Sequence, residues 1–179
     1  MHDVVLSLTA VISHSLTDVF ITTIQRDGIT VVNSLLVGSA AQQEKTACKN
    51  RMPEPTSGLS EIADKITAYL DGAVIDFSSV PLDTGGGSGF RNAVLAVART
   101  IPYGVTVSYG ELAKMAGFPG AARAVGSVMR SNAFPILIPC HRVIRSDGKA
   151  GGYCGSQSGK DVLLKQRLMA LEAVGNRSD

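Results

Sequence analysis

The run Gly85-Gly86-Gly87-Ser88-Gly89 separates two halves of the chain whose apolar residues follow different periods. Glycine loses more backbone freedom on folding than any other residue, so such a run does not build the interior of a helix or a strand. It reads as an interdomain linker, with residues 1–84 forming one domain and residues 85–179 another. Upstream, residues 4–37 are β-rich. The runs 19–25 and 29–37 flank Arg26-Asp27-Gly28, a hairpin turn in which glycine tolerates positive φ. Downstream, Phe90, Val94, Val97, Ala98 and Ile101 recur at helical spacing. The fold class expected is α+β: a small β-rich α/β N-terminal domain followed by a mainly helical C-terminal domain.

Within the first domain, residues 40–58 are polar and contain Pro53 and Pro55, which predicts a long loop. Ser60 is placed to cap a helix running to Leu70, with Ile62, Ile66 and Leu70 on one face and Gly72 just past its end. Residues 74–77 suit a short strand. In the second domain, Ser108 caps a helix through Ala116, Gly117-Phe118-Pro119-Gly120 breaks it, and residues 121–130 form the next helix. Two short helices around a glycine-containing turn make a helix-turn-helix pattern. A last helix is expected over residues 161–173.

The chain has 179 residues, 45% of them hydrophobic, enough to bury a core. No run of about 18 uncharged apolar residues is present, so no membrane span is expected. The apolar stretch 4–24 is interrupted by His14 and Asp18 and lacks a basic leader, so it does not read as a signal peptide. Cys48, Cys140 and Cys154 have neither zinc spacing nor a disulfide framework. In the first half only Cys48, His2 and His14 could ligate a metal, and no metal site is expected. A net charge of +2 excludes a protein that coats polyanions broadly but permits a local basic surface.

The chemistry concentrates at Pro139-Cys140-His141-Arg142-Val143, which follows a short apolar run. The thiolate is the nucleophilic form of cysteine, and basic or cationic neighbours bring its pKa into a useful range. Three further blocks stand around this motif. They are Ile101-Pro102-Tyr103-Gly104 with Ser108 through Ala113, then Ala121 through Gly126 with Met129, and Gly148 through Tyr153. Together with Asn132 through Val143 they resemble, in order and spacing, the O6-alkylguanine-DNA alkyltransferase family. The resemblance covers residues 90–174. Members move an alkyl group from damaged guanine onto their own cysteine.

The resemblance implies a winged-helix-like C-terminal domain and gives roles to individual residues. Cys140 is the alkyl acceptor, and His141 the general base, acting through a water. Tyr109 donates a hydrogen bond to a ring nitrogen of the leaving guanine. Arg123 fills the space left by the everted nucleotide, on a helix whose small residues Ala121, Ala122 and Gly126 allow close approach to the minor groove. A guanine cannot react at O6 while stacked and paired, so eversion is required. Arg130, Lys114 and Arg142 are candidates for phosphate contacts, which position a duplex without reading its sequence. Met129, Pro135 and Tyr153 form apolar walls of the base pocket, and backbone groups at Cys140, Val143 and Cys154 meet the guanine edge. Gly152 and Gly155 let the backbone come close to the base. Asn132 holds the turn before the cysteine segment.

The carboxylate that orients His141 has two registers. The family pattern Lys-x-x-Leu-Leu-x-x-Glu begins at Lys160 if read without a gap, which puts Arg167 on the glutamate. Begun at Lys165, it ends on Glu172. A buried cation beside His141 would disfavour the imidazolium, so Glu172 is preferred, with a five-residue insertion between Tyr153 and Lys165. The implied partner is double-stranded DNA carrying O6-alkylguanine, mainly O6-methylguanine. No cofactor and no membrane are implied, the protein is expected to be a monomer, and one molecule performs one transfer. The implied location is cytoplasmic: on the nucleoid in a prokaryote, or in the nucleus of a eukaryote. Two other readings stay open: a lesion sensor that everts alkylguanine without transfer, and a Cys-His hydrolase that turns over repeatedly.

Overall fold

A computed structural model describes residues 7–47, 57–85 and 87–175. The chain divides into two compact units, Met1–Thr84 and Gly85–Asp179. His2, Cys48, Pro53 and Pro55 lie outside the described residues.

In the first unit, β1 (Ser7–Ser13), β2 (Asp18–Arg26) and β3 (Ile29–Val37) form an antiparallel sheet in the order β1-β2-β3. Arg26 pairs with Ile29 across the two-residue turn Asp27-Gly28, whose φ values are 52° and 76°. Two successive positive φ angles give the turn whose twist matches that of the strands it joins, and only Gly, Asn and Asp adopt it cheaply. Helices α1 (Gly38–Ala47) and α2 (Ser57–Leu70) pack on this sheet. α2 buries Leu59, Ile62, Ile66, Tyr69 and Leu70, spaced as one helical face. The sheet contributes the buried Val19, Ile21, Val32 and Leu35 to the apolar core of this unit. Ala73 N donates to Ala68 O and Gly72 N to Tyr69 O, with Gly72 at φ 100°. This paired bond closes the helix where an L-residue would be strained.

Three expectations for this unit need correction. Residues 40–47 are helical, because Ala, Gln, Glu and Lys favour a helix whatever their polarity. Ser60 lies inside α2, which already begins at Ser57. Residues 74–77 are irregular. Leu82 instead bridges to Val32, with Val32 N donating to Pro81 O at 2.9 Å and Asp83 N to Val32 O at 2.8 Å. Proline accepts at that edge without needing an N–H.

The second unit consists of α3 (Gly89–Arg99), β4 (Val107–Ser108), α4 (Tyr109–Met115), α5 (Ala122–Arg130), β5 (Val143–Ile144) and α6 (Lys160–Gly175). The glycine run ends in a cap: Ser88 Oγ accepts from Arg91 N at 3.3 Å. Ser108 and Glu111 form a reciprocal capping box at the head of α4. α4 and α5 pack together across the Gly117–Gly120 turn. Strands β4 and β5 pair in parallel over two residues, Val107 with Val143 and Ser108 with Ile144. This pairing is too short to leave a periodic signal in the sequence. It fixes Tyr109, the first residue of α4, beside the segment that follows Cys140. No described helix is long and apolar enough to cross a membrane.

Candidate active site

Residues 134–143 bring the motif to the surface of a cavity. Ile136 sits at φ 74°, a conformation costly for a β-branched side chain and held here by its surroundings. Asn132 ties the segment: its Nδ2 donates to Ile138 O at 2.9 Å and its Oδ1 accepts from Phe134 N at 3.0 Å. Cys140–Arg142 then makes a single 3₁₀ turn. With three residues per turn, successive side chains diverge by about 120°. Cys140 therefore faces the cavity, while His141 and Arg142 turn toward α6.

α6 answers with two side chains. Glu172 Oε1 lies 2.8 Å from His141 Nε2. The same carboxylate accepts from Arg142 Nε at 2.9 Å, from Arg142 Nη2 at 2.8 Å and from Gly104 N at 3.0 Å. Arg142 also lies over the Tyr103 ring at 5.8 Å. The expected phosphate contact from Arg142 needs correction: the side chain is 7% exposed and spent on Glu172. A cation does stand beside His141, then, but it is neutralised by the carboxylate that holds the ring. Arg167, the residue of the competing register, is exposed. The second side chain is Lys165, fully buried, whose Nζ donates to Val143 O at 2.6 Å and lies 3.4 Å from Gly152 O.

Burial dominates the protonation of the pair. It pushes the Cys140 thiol up, against a hydrogen bond from Asn132 and the charge of Lys165. It pushes His141 down, against its bond to Glu172. Both groups are therefore neutral at rest, and the flanking cations do not lower the thiol as the motif alone suggests. Burial works to raise Glu172, but the hydrogen bonds from His141 and Arg142 outweigh it and hold the carboxyl well below its usual range. Burial brings Lys165 down to about 8. Burial and the neighbouring Cys140 raise Tyr109, so its hydroxyl keeps its proton as a donor.

The cavity has a volume of about 240 Å³. Of the residues expected there, Tyr109, Arg123, Gly126, Met129, Arg130, Cys140, Gly152, Tyr153, Cys154 and Gly155 line it. Asn132, Pro135, Val143, Ala121 and Ala122 do not. Pro135 and Val143 are buried behind it, and Val143 O is taken by Lys165. Gly152 does not leave its space to a base. A Cβ there would lie 2.7 Å from both Gln157 Nε2 and Ser156 O, so its missing side chain makes room for the loop that follows. Among the described residues no group of three His, Cys, Asp or Glu is placed to hold a metal.

Sequence reasoning misses Lys165 as a supporting residue and, among those lining the cavity, Ser127, Arg145, Ser156 and Gln157. Lys165 has a signal. Asp161, Leu164, Lys165, Leu168 and Glu172 form the buried stripe of α6, and three charged residues on a core-facing stripe mark a polar site. Arg145 and Gln157 sit on loops and have none.

A neutral thiol backed by a carboxylate-held imidazole, on a cavity lined by three exposed arginines, defines a protein that presents a cysteine nucleophile to an anionic substrate. Comparison with known proteins narrows the class. Residues 89–174 match the family described as 6-O-methylguanine DNA methyltransferase, DNA binding domain. A methylated-DNA–protein-cysteine methyltransferase of Methanothermobacter thermautotrophicus is 43% identical over 120 residues, 67% of this chain and 64% of the relative. The match thus spans slightly less than two thirds of that relative's length. The crystal structure of the Mycobacterium tuberculosis O6-methylguanine methyltransferase superposes with a TM-score of 0.74 at 32% identity, covering 97% of both chains. The structure of Mycobacterium tuberculosis OGT in complex with DNA superposes with a TM-score of 0.68 at 33% identity, covering 92% of both. The chain belongs to the O6-methylguanine DNA methyltransferase family.

Proposed function

We propose that this protein repairs O6-alkylguanine in duplex DNA by taking the alkyl group onto Cys140. The observation that carries the reading is the alternation of charge that proton transfer would create. Moving the Cys140 proton to His141 generates a thiolate and an imidazolium. The thiolate lies within the field of Lys165, and the imidazolium is bonded to Glu172, which is bonded in turn to Arg142. Cation and anion then alternate from Lys165 to Arg142. Such an arrangement lowers the energy of the charged pair while burial keeps it absent at rest. The proton travels from the thiol to the second ring nitrogen of His141 through a water.

The sulfur attacks the alkyl carbon, an S–C bond forms, and the C–O bond breaks with its electron pair going to guanine. Tyr109 donates to a ring nitrogen as negative charge develops there. The proton lost by the thiol ends on guanine. The product is a thioether with no carbonyl for water to attack, so each molecule acts once. α4 and α5 act as the helix-turn-helix, with Ala121, Ala122 and Gly126 letting α5 approach the minor groove, Arg123 replacing the everted nucleotide and Arg130 contacting phosphate. The protein works as a monomer, on the nucleoid of a prokaryote or in the nucleus of a eukaryote.

The test is incubation with duplex DNA bearing O6-methylguanine labelled in the methyl group. Label on Cys140, at no more than one per chain, and none on a Cys140→Ala protein, is the expected result. Binding without label identifies a lesion sensor. Released methanol with repeated turnover identifies a hydrolase.

A further inference from the structure

Which O6-substituents the site accepts is a question that rests on the alkyl-transfer reading. A second cavity, of about 620 Å³, lies behind the glycine loop and is lined on its far side by Val162, Gln166 and Met169 of α6. It shares Arg145, Gly151 and Gln157 with the cavity at Cys140. Those three residues are therefore the partition between the two spaces.

Two of the three are held. The Arg145 guanidinium is clamped on Asp147 by bonds of 3.2 and 3.1 Å. Gly151 has no side chain to move, and a Cβ on it would already touch both Arg145 Cγ and the Tyr109 hydroxyl at 3.4 Å. Gln157 differs. Its backbone follows a fixed point, since Tyr153 and Ser156 exchange backbone hydrogen bonds of 2.9 Å and Ser156 Oγ donates to Asp161 Oδ2 at 2.9 Å. Its carboxamide lies against Gly152, but makes no hydrogen bond among the described residues. It also lies in the stretch between Tyr153 and Lys165 where the family resemblance implies a five-residue insertion. The carbon that reacts must touch the Cys140 sulfur, so whatever the substituent carries beyond that carbon has to fit the same cavity.

The geometry points to Gln157 as the residue that sets the size of the transferred group: its side chain closes the reaction cavity off from the second one. A methyl group fits beside Cys140 with the partition shut. A bulky substituent such as benzyl has to push the Gln157 side chain aside and use the space behind it.

The experiment measures single-turnover transfer from duplexes carrying O6-methylguanine and, separately, O6-benzylguanine, for the wild type, Gln157→Ala and Gln157→Trp. The benzyl-to-methyl rate ratio is expected to rise about tenfold in Gln157→Ala and to fall in Gln157→Trp, the scale on which pocket size discriminates apolar groups. Ratios within about twofold of wild type in both variants overturn the inference. An equal loss of both transfers also overturns it, because it assigns Gln157 to holding the loop. Since the wild type is measured on the methyl substrate, a failure of alkyl transfer itself is seen separately and overturns the underlying reading with this one.

Discussion

The two units bury different things. Among the described residues the first keeps charge out of its interior, and its buried polar side chains are Thr17 and Thr23. The second buries His141, Arg142, Asp161, Lys165 and Glu172. Taking an ion out of water costs several kcal/mol unless partners compensate, and replacing such groups by apolar ones is often neutral or stabilising. The interior of the first unit is thus an apolar core, whereas the second gives up stability at the place where it buries charge. The contrast teaches that buried charge here is confined to one turn of chain and one face of one helix.

That contrast can be broken most directly at Glu172. Glu172→Ala leaves Arg142 buried without its counter-ion and should cost about 3–5 kcal/mol in denaturant unfolding, with alkyl transfer lost as well. A loss below about 1 kcal/mol would mean that water reaches the cluster and that its burial is superficial. In the first unit, Leu35→Ala removes a fully buried side chain and should cost about 3 kcal/mol. The transfer rate per folded molecule should not change, and a changed rate would erase the division of labour. The finest test is the pH dependence of Lys165. Its folded pKa, about 8, lies below the ordinary 10.5. Between those values the unfolded chain holds more protons, so this residue's contribution to stability rises with pH across that window, by on the order of 3 kcal/mol in total. Burial raises Cys140 and Cys154, which pull the other way. The quantity to read is therefore the difference between wild type and Lys165→Met as pH increases. A flat difference would place the Lys165 ammonium in solvent.

Much of this arrangement can be read from residue order because it rests on local rules. The Asp27-Gly28 turn, the Ser108 cap and the Gly117–Gly120 break each depend on backbone preferences of a few neighbours. Residues 89–99, 109–115, 122–130 and 160–175 are helical where apolar spacing and caps place helices. What fails is inference from polarity. The polar stretch at 40–47 is a helix, and Arg142, a surface cation by its chemistry, is inside. Side-chain burial depends on partners far away in the chain, and no local rule reports them. The register of α6 is legible through a resemblance, yet the meaning of Lys165 on the same stripe becomes clear only once Val143 O lies against it. The Ile136 backbone and the two-residue β4–β5 pair are set wholly by tertiary context.

Lys165 and Glu172 stand two turns apart on α6, and between them they grip the carbonyl of Val143 and the ring of His141. Both grips belong to a helix that leaves the ribosome after the segment it holds. During synthesis the nucleophile is thus made early and armed late. Until α6 docks, the Cys140 segment lacks both the carboxylate that holds the His141 ring and the ammonium that holds Val143 O.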